Sequence, residues 1–202
     1  MSVETGGRGR MLMIGAAAVG LVAFVVVATL IADWDAVRLD PSAERHFRAD
    51  SGIPAEYQAL IVEAGTGCPE AAHVTPPLVA SILKASTDFD PDVSDPAKHE
   101  YGIARWKQGM LREYLPAGER TELPPLPFTP EVSIAAVGEF LCRHASEQWV
   151  TGSPRGPEIE LAFGFRATME YGRDTFGTEA GWTGDAAYLS RVEQALATYR
   201  PE

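Results

Sequence analysis

The chain's absences narrow its class first. In 202 residues there are only two cysteines, which excludes a small scaffold stapled by several disulfides. No Cys or His spacing suits zinc, with His73, His99 and His144 scattered along the chain, so neither a metal nor another cofactor is expected. Basic runs and aromatic residues interleaved with basic ones are missing too. The 17 Lys and Arg are outnumbered by 28 Asp and Glu, a formal net charge of −11. So acidic a surface repels nucleic acid and anionic lipid headgroups, which sets nucleic-acid binding aside. There is no internal repeat and no convincing alternating strand. What remains, 46% hydrophobic and 22% charged with 19 Gly and 15 Pro, fits a globular protein rather than a disordered or collagen-like one.

The apolar residues are unevenly spent. From Met11 to Ala32 no residue is charged and none is proline, and only Gly15, Gly20 and Thr29 fall outside the hydrophobic set. A helix over residues 11–32 would be roughly 33 Å long at about 1.5 Å per residue, enough for a hydrocarbon layer of about 30 Å. The run reads as a retained transmembrane anchor. Its rival is a cleaved signal peptide, whose apolar region is usually shorter and ends in a small-x-small site, where this chain has Leu30-Ile31-Ala32-Asp33. Arg8 and Arg10 precede the span and Asp33 and Asp35 follow it, so the positive-inside rule puts residues 1–10 in the cytoplasm. Anchored or secreted, the rest of the chain is extracytoplasmic. Without residues 1–32, and so without Arg8, Arg10 and Glu4, the 17 basic and 28 acidic residues become 15 and 27, a net of −12.

Both cysteines, Cys68 and Cys142, lie in that exported part, where an isolated pair is expected to form a disulfide. Closing so long a loop stabilises a fold by roughly 4 kcal/mol on the chain-entropy view.

Residues 33–52 read as a membrane-proximal stalk, and residues 53–202 as one mostly helical domain. Tyr57, Leu60, Ile61 and Ala64 have helical spacing after Pro54. Thr75-Pro76-Pro77 is a cap followed by prolines in the first turn, opening a helix through Ile82 and Leu83 that Asp90-Pro91 stops. Residues 101–115 suit one or two short helices, and the five prolines between 116 and 130 make an extended excursion. Thr129-Pro130-Glu131 repeats the cap signal. Two more helices are expected over 158–171 and 184–199, the last with Tyr188, Val192, Leu196 and Tyr199 on one face.

The segments VASILKASTDFDP (Val79–Pro91), Ser94, GIARW (Gly102–Trp106), GFRAT (Gly164–Thr168) and YLSRV (Tyr188–Val192) follow one another in an order that resembles the SLT family of lytic transglycosylases. That family has the fold of goose-type lysozyme, and its corresponding segments read QESxFxP, a loop Ser, GIAQF, AYNAG and YVxRV. The resemblance covers about residues 56–199. It implies a lysozyme-like helical domain, here preceded by a single transmembrane helix, that faces peptidoglycan.

The departures from the family pattern fall on its chemistry. With Phe89-Asp90-Pro91 on FxP, Ser86 stands where the family has its catalytic Glu. That Glu protonates the glycosidic oxygen and then, as carboxylate, deprotonates the sugar's own hydroxyl to close an anhydro ring. A serine hydroxyl neither supplies that proton nor carries the charge that stabilises the transition state. The Tyr-Asn pair of AYNAG becomes Phe165-Arg166, and the Gln of GIAQF becomes Arg105. No Glu lies between Glu70 and Glu100, so a small shift of alignment does not restore the acid. Glu100 and Asp90 are the candidate substitutes, ahead of Asp88. Their alternative roles are a solvated acid or, for Asp90, a cap in the turn. Tyr101 and Trp106 suit a sugar-stacking wall or, for Trp106, the core. Arg105 and Arg166 suit ion pairs with Glu100 or Asp90, or binding of muropeptide carboxylates. The expected function is peptidoglycan or cell-wall-protein binding without ordinary catalysis. The alternatives are an active lytic transglycosylase and a structural interaction module with a sealed cleft.

Overall fold

A computed structural model describes residues 45–122, 124–171 and 186–201. The expected tail, anchor and first part of the stalk lie outside the described residues. No described helix is long and apolar enough to cross a membrane. The described chain is mostly helical.

Helix α1 (Ala55–Thr66) starts after Pro54 and buries Tyr57, Gln58, Ile61 and Gly65 on one face. At its end Gly65 lies against the start of the next helix, where a Cβ would come within 2.3 Å of the Pro76 nitrogen. Helix α2 (Pro76–Thr87) begins as its sequence dictates, with the Thr75 hydroxyl accepting from the Leu78 N–H at 3.3 Å and two prolines in the first turn. Every residue from Pro76 to Leu83 is buried, and all but Ser81 are apolar, so this stretch of α2 belongs to the core. It ends at Thr87, short of Asp90-Pro91, because Asp88 (φ 59°) and Phe89 (φ 65°) turn the backbone left-handed.

A small antiparallel sheet follows, β1 (Ser94–Asp95), β2 (Glu100–Tyr101) and β3 (Trp106–Lys107), with Ser94 opposite Tyr101 and Tyr101 opposite Trp106. The sequence pattern misses these strands because two residues are too few to show alternation. Helix α3 (Gln108–Tyr114) is the one short helix of the 101–115 stretch. After the proline-rich excursion, helix α4 (Pro130–His144) opens at Thr129. The Glu131 carboxyl there is held below its ordinary range, first by its own backbone N–H and then by the Thr129 hydroxyl. Helix α5 (Gln148–Thr151) is a single turn, and α6 (Pro157–Tyr171) and α7 (Ala186–Tyr199) complete the set.

Helix α2 sits at the centre, packed most extensively on α7 and also on α1, α4 and α6. Gly138 of α4 permits a close crossing with α1, since a Cβ there would fall 2.6 Å from the Ala64 carbonyl oxygen. The disulfide forms as expected and ties Cys68, just after α1, to Cys142 in the last turn of α4. The stalk reading fails for its described end, residues 45–52. Phe47 is buried in the core, and the Arg48 N–H donates to the Tyr199 carbonyl oxygen at 3.2 Å, so this segment packs with the helices.

Candidate functional site

Of the residues singled out by sequence, Glu100, Arg105 and Arg166 come together where the small sheet meets α6, and the end of α2 is tied to the same sheet. Ser86 occupies the last turn of α2 and is half-buried. The next residue fixes this helix end to the sheet, because the Thr87 hydroxyl donates to the Ile103 carbonyl oxygen at 2.6 Å. From α7, Arg191 Nε donates to the Ala85 carbonyl oxygen at 3.1 Å. The carbonyl of a helix's last turn has no partner within the helix, and a guanidinium satisfies it while favouring the negative end of the dipole.

Glu100 on β2 is the centre of the charge arrangement. Its side chain is 2% exposed, with Oε2 accepting from Arg105 Nε at 2.6 Å and Oε1 from Arg166 Nη1 at 2.9 Å. Arg105 also reaches Asp95 on β1, its Nη2 lying 3.4 Å from Oδ2. Two carboxylates and two guanidiniums therefore make a formally neutral group that joins the small sheet to α6. The two bonds to Glu100 are of the strong, charge-assisted kind, and its burial removes the competing water. Arg105 holds its place with a left-handed backbone (φ 54°), in a turn where its N–H donates to the Gly102 carbonyl oxygen at 2.9 Å. That conformation costs a non-glycine residue of order 1 kcal/mol, offset here by the guanidinium's two carboxylate partners.

Of the alternatives left by the sequence, the ion-pair arrangement is the one formed, with Glu100 and Asp95 as partners rather than Asp90. Asp90 is exposed, and its Oδ1 accepts from the Asp92 N–H at 2.9 Å, the cap-in-turn role. Asp88 faces away and pairs with Lys84 on the outer surface. Neither substitute acid has the setting of a general acid. Glu100 has both oxygens engaged by arginine and almost no exposure, and Asp90 is spent in a solvated turn.

Of the two readings of Trp106, the core is the one formed. Trp106 is fully buried, its Nε1 donating to the Ser133 carbonyl oxygen at 3.0 Å, and it packs edge-on against Phe165 with centroids 5.1 Å apart. Phe165 is buried as well and also meets Phe140. Large flat side chains on inward-facing positions fill the core, so neither ring offers a face to a sugar. Tyr101 is half-buried, edge-on to Phe128 at 6.3 Å. Asp95 and Arg191 were not singled out from sequence. Asp95 carries no motif signal, whereas Arg191 belongs to the YLSRV segment and was legible there.

No protein-family model, no curated protein and no solved structure matches this chain. Its chemistry is therefore read from its own geometry. Among the described residues, one group of possible metal ligands, Cys68, Glu70 and Cys142, comes together, and its two sulfurs are bonded to each other.

Proposed function

We propose that this chain is a membrane-anchored, extracytoplasmic domain of the lysozyme-like, SLT transglycosylase kind, which binds peptidoglycan glycan strands or a cell-wall protein without cleaving glycan. The carrying observation is the commitment of Glu100 to Arg105 and Arg166 beside a helix end that bears Ser86. Cleavage by this family's chemistry needs a carboxyl that reaches the glycosidic oxygen with a proton and then takes one back. Ser86 has no carboxyl, and Glu100 has no free oxygen to offer. The fastening of the α2 end by Thr87 and Arg191 supports a scaffold kept in order after the acid was replaced.

The test is to incubate the full chain, in detergent, with purified peptidoglycan sacculi. Co-sedimentation without release of anhydro-muropeptides is the expected result, and their release would overturn the non-catalytic reading. Ser86→Glu probes the groove further, and a gain of anhydro products would mean that glycan still reaches the α2 end.

A second reading has support in the same cluster. Four charged groups closed on one another form a seal rather than a binding surface, as in a structural interaction module. Absence of both cleavage and co-sedimentation would favour it.

A further inference from the structure

At the other end of the domain, the Cys68–Cys142 disulfide has an unusual neighbour. Glu70, two residues after Cys68, places Oε1 3.3 Å from Cys68 Sγ and 3.6 Å from Cys142 Sγ. Neither sulfur carries a proton to donate, so these contacts set an anion against the bond itself. The two cysteines are also unequally exposed. Cys68 is 4% exposed, whereas Cys142 is half-buried. Arg143, the cation next to Cys142 in the chain, is directed elsewhere, to Glu139 and to the Glu113 carbonyl oxygen.

We infer that Glu70 protects this disulfide from reduction by thiols. A small thiolate attacks at the accessible sulfur, Cys142 Sγ. The new sulfur–sulfur bond forms there, the Cys68–Cys142 bond breaks, and Cys68 leaves as a thiolate that then takes a proton from water. A second thiolate attacks the mixed disulfide, releasing Cys142 as a thiolate and the reductant as its own disulfide. Exchange slows when the departing sulfur resists negative charge. The Glu70 carboxylate lies nearest to Cys68 Sγ, the sulfur that must take that charge. Two unit charges that far apart repel enough, even at the dielectric of water, to slow the step roughly tenfold. Glu70 is thus a positioning residue for the redox chemistry of the fold and needs no ligand to act.

The experiment measures the reduction rate of the oxidised full chain by β-mercaptoethanol, with alkylation and mass analysis at timed intervals. Glu70→Gln should be reduced roughly tenfold faster than the native chain at about 10 mM salt, and the ratio should fall toward one at about 1 M salt. Glu70→Lys should be faster still. Glu193→Gln removes an exposed acid from α7 and serves as the control for net charge. Glu70 is exposed, so the oxidised variants should keep the native melting temperature. A Glu70→Gln rate within twofold of native, or an acceleration no larger than that of Glu193→Gln, would overturn the proposal. So would a ratio indifferent to salt.

Discussion

Helix α2 and the small sheet are neighbours in the chain and in space, yet they are buried by opposite means. From Pro76 to Leu83 every residue of α2 is buried, and all but Ser81 are apolar. Ser81 satisfies its hydroxyl within the helix, donating to the Pro77 carbonyl oxygen at 2.6 Å. The sheet instead buries a charge, Glu100, between two arginines. Apolar burial is non-directional and tolerates repacking, whereas a buried carboxylate holds only while its partners stay in place. The helical body should therefore lose stability in proportion to the volume removed, and the sheet should fail when a single partner goes.

The largest effect that separates the two regions is expected from Glu100→Ala. It strips Arg166 of its Glu100 partner, leaves Arg105 with Asp95 alone, and should cost about 3–5 kcal/mol in denaturant unfolding. Replacing Glu100, Arg105 and Arg166 together by Leu, Met and Met should recover most of that loss. If the triple substitution is as damaging as Glu100→Ala alone, the sheet is not held by pairing. Leu83→Ala, in the fully buried part of α2, should cost about 2–5 kcal/mol, with no rescue from removing a neighbour.

Alkali tests the helical side by another route. Burial, and then the charge of Asp88, pushes the Tyr199 phenol up to about 12 from its ordinary 10.0. A pKa raised by folding means that the fold favours the neutral phenol. The associated stability is complete below about pH 10 and is lost as the pH climbs toward 12, a change of order 2 kcal/mol. Unfolding free energies at stepped alkaline pH, alongside tyrosinate absorbance, would follow it; a flat profile across that window would contradict the buried setting of Tyr199. The smallest effect is expected from Thr75→Ala, which removes the α2 cap and should cost about 1 kcal/mol, read as a lower melting temperature.

The parts that were legible in sequence share one property, that their causes are local. The Thr75 cap, the prolines beside it and the face of α7 follow from neighbours a few residues apart, whereas α1 buries Gln58 and Gly65 more fully than the expected Leu60 and Ala64. The strands were not legible, since a two-residue strand exists only through its partner. For the candidate site, Glu100, Arg105 and Arg166 were recognisable as residues of interest, and their pairing was one of two readings. Asp95 was invisible, and the two readings of Trp106, sugar wall or core, stayed open because residue type does not reveal which way a ring faces.

The sequence by itself determined a mostly helical domain with one disulfide, since helical spacing, caps and an isolated cysteine pair are written along the chain. Tertiary structure decided where the charges went. Glu100 and Arg166 are 66 residues apart, and only the packing of α6 beside the sheet brings their side chains within 2.9 Å. Tertiary packing also gave Phe47, from a segment read as stalk, a place in the core. Long-range contacts of this kind depend on which elements the chain folds together, and no local pattern encodes that.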